Sequence, residues 1–134
     1  MPAILVHGLD DALAAAAAAA ELGVPWQLAS APAAGLYAGA GWFLALLDAV
    51  RAAHPGLDVA GTLDCDDAPG AVLAALRAGM KEVVFLGDAG IAAKLSAIAE
   101  QSGAVLRTER QHALDPRHAR DKRRACREWL APGG

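Results

Sequence analysis

The chain has 134 residues, 55% of them hydrophobic and 20% charged, with a formal net charge of −3. That length and composition exclude general disorder and predict a single α/β domain over residues 1–134, with a core that needs no metal or disulfide. The slight acidity excludes an overall attraction to nucleic acid, and Cys65 and Cys126 lie too far apart for a metal-ligand motif, as free thiols of a cytoplasmic protein would.

The N-terminus lacks a basic leader, and Asp10-Asp11 interrupts the early apolar run, which argues against a signal peptide. A continuously apolar first strand is predicted over residues 3–6, as in strands buried on both faces. An Ala-rich helix follows over 12–22, with Asp10 or Asp11 as its cap and Gly23 after its end. The apolar stretch 12–20 is far too short to span a bilayer, so no membrane association is expected. A second strand is predicted at 25–29, and Pro25 places it at a strand start or a sheet edge.

Residues 30–41 break the rhythm with Pro32, Gly35, Gly39 and Gly41, and Tyr37 lies among them. Long irregular stretches carry function more often than the elements they join. The next helix, predicted at 42–53, is apolar nearly all round, with Trp42, Phe43, Leu46, Leu47 and Val50. Such a helix is buried on more than one side; the surplus apolar surface predicts a homo-oligomer formed through it, the alternative being cover by the chain's own 30–41 loop. His54-Pro55-Gly56 stops it.

Strands are then predicted at 58–63, 82–86 and 104–107, and helices at 68–78 and 89–102. The segment 108–116 reads as polar and irregular, and a basic last helix over about 116–130 has Asp115 as its cap and Pro116 at its first position. The recurring unit of apolar strand, aspartate, Ala-rich helix and glycine is the βα unit of an open parallel sheet. The predicted fold is therefore three-layer α/β with about five parallel strands in the flavodoxin-like order 2-1-3-4-5, strand 1 beside strand 3. A half-barrel of βα units is the competing geometry. The phosphorylatable receiver fold shares this count of elements, but its lysine after strand 5 is missing, since Arg107-Thr108 stands there.

Open parallel sheets bind ligands beyond the carboxyl ends of their strands. In the predicted order, the loops after strands 1 and 3 line that crevice. His7 ends the first strand, and imidazole suits acid–base work near neutral pH. Asp64 ends the third and is predicted to orient His7 or to contact the ligand. Tyr37 would cover the site, and Gly8 and Asp88 are further candidate ligand contacts. The aspartate clusters also read as helix caps, which explains their recurrence without a metal, and no metal site or named cofactor is predicted. Cys65, between aspartates, is disfavoured as a thiolate.

The expected function is a small-molecule-binding α/β domain or small enzyme acting on a small polar metabolite, with His7 and Asp64 as the chemical pair. The alternative is a non-catalytic oligomeric or regulatory module. It would use the helix at 42–53 and the basic face of Arg117, Arg120, Lys122, Arg123, Arg124 and Arg127 for partner contacts. No interleaved aromatics accompany that basic run, so nucleic acid is not the expected partner.

Overall fold

The continuous apolar run of residues 3–6 forms the predicted strand, with Ala3, Ile4 and Val6 buried and Leu5 partly so. The computed structural model describes residues 1–132, and the chain divides into two compact units. Unit 1 comprises Met1–Ala29, Ala45–Ala60 and the segment from Gln111 onward, and unit 2 comprises Ser30–Leu44 and Gly61–Arg110. Both are of the predicted class, parallel α/β.

Unit 1 holds β1 (Ala3–Val6), α1 (Leu9–Leu22), β2 (Gln27–Ser30, its last residue in unit 2), β6 (Ala113–Leu114) and α6 (Lys122–Leu130). Its strands run in the order β2-β1-β6. The Gln27 N–H donates to Pro2 O at 3.0 Å, and β6 pairs parallel to β1 with Ala3 opposite Ala113 and Ile4 opposite Leu114. The two edges of β1 are thus taken by β2 and β6, and the predicted neighbour relation between strands 1 and 3 does not occur. The sixth strand accounts for the difference. It lies in the segment read as irregular, and side-chain amides hold it: Gln27 donates to Gln111, and Gln111 donates to Met1 O.

The alanines of α1 give the last helix its seat. Ala12, Ala15, Ala16, Ala18 and Ala19 are fully buried, and α6 packs on α1 through Cys126 and Leu130. Small side chains let two helix backbones approach closely. Lys122 reaches Asp10 Oδ2 at 2.7 Å and Asp11 Oδ1 at 2.8 Å, the latter an ion-pair contact out of hydrogen-bond alignment. Arg123 and Arg127 both pair with Glu21. Trp129 Nε1 donates to Ala3 O at 3.0 Å and fastens the helix to the first strand.

This helix starts at Lys122, six residues later than predicted. Asp121 is the cap, accepting the Arg124 N–H at 3.0 Å. Asp115 instead accepts the Arg117 N–H at 3.0 Å in a local turn and also meets His7. A carboxylate engaged in that way leaves the following backbone to turn rather than wind.

Unit 2 holds α2 (Ala34–Tyr37), β3 (Gly61–Asp64), α4 (Pro69–Ala78), β4 (Glu82–Val84), α5 (Ala89–Gln101) and β5 (Val105–Arg107). Its strands run β5-β4-β3 and are parallel, with Leu63 opposite Val83 and Val83 opposite Leu106. Leu63, Val83 and Phe85 are fully buried, and α4 and α5 pack against each other. A short helix, α2, occupies part of the stretch expected to be irregular.

The long helix α3 (Gly39–Ala53) begins in unit 2 and continues into unit 1. Phe43, Leu46, Leu47 and Val50 are all buried, and Trp42 and Leu44 are only partly exposed. No helix among the described residues is long and apolar enough to cross a membrane.

Of the aspartates between β1, β3 or β4 and the helix that follows, one is a cap and the others are not. Asp88 caps α5, accepting the Ile91 N–H at 3.0 Å. Helix α1 starts from Gly8 and α4 from Ala68, neither with a side-chain cap. Replacing Asp88 with Ala should lower stability by about 1 kcal/mol. The same change at exposed Asp67, whose carboxylate bonds to no described residue, should cost less than about 0.5 kcal/mol. Urea midpoints of the two variants check the contrast.

Candidate functional site

In unit 1, β1 and β6 end side by side, and the residues just past their ends meet. His7 follows β1 and Asp115 follows β6. His7 Nε2 lies 3.1 Å from both carboxylate oxygens of Asp115, and Arg117 Nη2 lies 3.1 Å from His7 Nδ1. A guanidinium can only donate. The Arg117 contact is therefore a hydrogen bond only if Nδ1 is unprotonated, which places the ring hydrogen on Nε2, pointing at Asp115. The imidazole lies between a carboxylate on one side and a guanidinium on the other.

The backbone supports this arrangement. The His7 N–H donates to Asp11 Oδ2 at 2.9 Å, which fixes the exit of β1 into α1. Asp11 is 2% exposed, so this carboxylate acts as an internal clamp rather than as a helix cap. Gly8 lies between His7 and the helix start in extended backbone. The His7 side chain remains 24% exposed and that of Asp115 44%, so the pair is reachable from solvent. Burial pushes the Asp115 carboxyl up, but the hydrogen bonds from His7 and the Arg117 N–H outweigh it and hold the group below its ordinary value.

In unit 2, Asp64 ends β3 and is 4% exposed. Its Oδ1 accepts the Ala33 N–H at 3.0 Å, the Asp66 N–H at 3.0 Å and Arg110 Nη2 at 3.2 Å, and its Oδ2 accepts Arg110 Nε at 2.7 Å. Arg110 Nη2 also reaches Asp66 Oδ1 at 2.9 Å. The Asp64 N–H donates to Ser30 Oγ at 2.9 Å. A carboxylate that accepts this many internal hydrogen bonds organises its surroundings.

The carboxylate also holds unfavourable backbone. Ala33 has φ of 62° and Asp66 φ of 50°, both left-handed, and both give their N–H to Asp64. Next to it, Gly35 is pressed so close that an added Cβ would lie 2.9 Å from Cys65 Sγ. Burial, and then the Asp64 charge, push the Cys65 thiol up to about 11, in line with its reading as an inert buried residue.

The predicted site residues thus fall in both units. His7 and Gly8 belong to unit 1, and Tyr37, Asp64 and Asp88 to unit 2. Tyr37 is 69% exposed at the end of α2, and Asp88 is engaged as the α5 cap. Three residues escaped the sequence reading: Arg110, Asp115 as a partner of His7, and Arg117 as a ring contact. The only available signal for Arg110 was that an aspartate ending a buried strand requires a cation or several donors. Among the described residues, no group of three His, Cys, Asp or Glu side chains is arranged to hold a metal ion. No protein-family model matches the chain, and no curated protein matches it in sequence.

Two outcomes follow from these clusters. Ala33→Gly should raise stability by about 0.5–1 kcal/mol, because glycine occupies left-handed backbone without the clash of a Cβ; the urea midpoint measures it. A carboxyl depressed in the folded state contributes stability that is complete above its ordinary value and lost as pH falls through its folded value. Asp115→Asn should therefore flatten the loss of stability below about pH 4, compared with the parent chain in denaturation series from about pH 6 to about pH 2.5.

Proposed function

We propose that this chain is a small-molecule-binding α/β protein whose site lies at the carboxyl ends of β1 and β6, built on His7, Asp115 and Arg117. The proposal rests on unit 1 alone. The observation that carries it is the imidazole flanked by the Asp115 carboxylate at Nε2 and by the solvent-exposed Arg117 guanidinium at Nδ1, at the end of the sheet where parallel folds place ligands. The ligand class is a small polar molecule with a carboxylate or phosphoryl oxygen. Such an oxygen competes with His7 for Arg117, because an arginine fork matches an anionic oxygen pair better than a single ring nitrogen. Arg117 then turns to the ligand, and His7 Nδ1 becomes free to accept a hydrogen bond or a proton from it. Asp115 keeps the ring oriented through Nε2–H, and Gly8 offers its backbone beside the imidazole. Asp64 serves as an architectural group in unit 2.

The regulatory-module reading has less support. Lys122, Arg123 and Arg127 pair with acids of α1, Arg124 pairs with Glu128, and Arg117 bonds to His7, so the basic face is largely neutralised within the chain.

Titration of the labelled protein with acetate, inorganic phosphate and a small phosphate ester, followed by imidazole nitrogen resonances, tests the proposal. At least one probe should move the His7 Nδ1 signal. Arg117→Ala should weaken that probe at least tenfold, about 1.4 kcal/mol. His7→Ala should weaken it as well, with the circular dichroism spectrum unchanged. If His7→Ala lowers the melting temperature and leaves probe affinity unchanged, His7 is a structural residue and the proposal fails.

A further inference from the structure

Unit 2 contains a hollow of about 450 Å³ on the α5 side of its sheet, lined by Phe85, Gly87, Ala92, Ser96, Leu106 and Thr108 among others. We propose that it is a second binding site, independent of His7, for a small uncharged molecule that is mostly apolar and carries one hydrogen-bonding group.

The strand register builds the floor. Val83 pairs with Leu106, and the Phe85 N–H donates to Arg107 O at 2.9 Å, so the pairing continues past the end of β4. Side chains alternate along a strand, so Val83 and Phe85 share one face and Leu106 and Thr108 share the face beside them. The hollow therefore sits at the carboxyl ends of β4 and β5. Its volume falls within the range of about 300–1,000 Å³ usual for small-molecule sites.

The chain does not fill the space. A Cβ on Gly87 would come 2.4 Å from Cζ of the buried Phe85 ring, so no side chain can enter from there. From the helix side, Ala89, Ala92 and Ala93 end at Cβ.

The lining decides the ligand's chemistry. No charged side chain is part of it, and an ionised ligand group would be desolvated there without a partner. Asp88, flanked by the lining residues Gly87 and Ala89, further disfavours an anion. Two hydroxyls, on Ser96 and Thr108, bond to no other side chain or backbone group among the described residues. They are the groups available for a ligand hydroxyl or carbonyl, and the remaining contact is apolar.

Three probes of similar shape test this on the full chain by amide chemical shifts: benzyl alcohol, toluene and benzoate. Benzyl alcohol should shift Gly87, Ala93, Ser96, Leu106 and Thr108 together. It should bind at least fivefold tighter than benzoate. Ala93→Phe, at an exposed position, should abolish these shifts by occupying the hollow. Ser96→Ala combined with Thr108→Val should remove the preference for benzyl alcohol over toluene while leaving toluene affinity unchanged. Shifts scattered over the surface, equal binding of benzoate, or shifts that persist in Ala93→Phe would each overturn the proposal.

Discussion

The buried carboxylate of Asp64 is the constraint on which the carboxyl end of unit 2 depends. It holds the turn at Ala33, the strand exit at Asp66 and the side chain of Arg110 at once. Two of these partners are residues in left-handed backbone, a conformation that persists only where surrounding bonds enforce it. A buried charge carries a desolvation cost, and here the compensation is nearly complete: two backbone donors and a bidentate arginine. These bonds make Asp64 an effective anchor for α2 and for the exit of β5.

Unit 1 uses a parallel solution with different chemistry. Its strand-end residue is an imidazole, and its partners, Asp115 and Arg117, leave part of their surface in water. The stretch 110–117 supplies partners to both strand ends, Arg110 to Asp64 and Asp115 with Arg117 to His7. A segment that is polar and nearly devoid of regular structure therefore has a definite role. Its polarity satisfies strand-end groups that lie far away in sequence. The basic character of α6 has a similar explanation, since its cations match the acids of α1. Exposed pairs of this kind contribute little each, about 0–1 kcal/mol, and their main effect is to fix the orientation of the helix.

The βα units were legible because each rests on local signals: an apolar run of strand length, an Ala-rich helix and a terminal glycine. Asp88 was legible as a cap for the same reason, since the group it bonds lies three residues away. What escaped depends on distant partners. β6 is only two residues long and owes its place to the amides of Gln27 and Gln111, which no local pattern reveals. Its presence beside β1 displaced the predicted order. Asp10, Asp11, Asp64 and Asp66 resemble caps in sequence, but each was drawn to a partner elsewhere: Lys122, the His7 backbone or Arg110. Asp115 resembles a cap too, and its engagement with His7 explains why the last helix begins late. Capping is the default for an aspartate near a helix start, and a cation brought by the fold overrides it.

The placement of β6 beside β1 also bears on the order of assembly during synthesis. His7 and Arg117 are 110 residues apart in the chain, and the β1–β6 ladder closes a loop of similar length. Unit 2 draws all of its residues from 30–110, so all of it is synthesised before α6. Unit 1 has to wait with an alanine-lined helix and an unpaired strand edge exposed until the last segments arrive. Elongation proceeds at about 5–20 residues per second, so that interval lasts several seconds. During it, the β1 edge that β6 later covers has no strand paired to it.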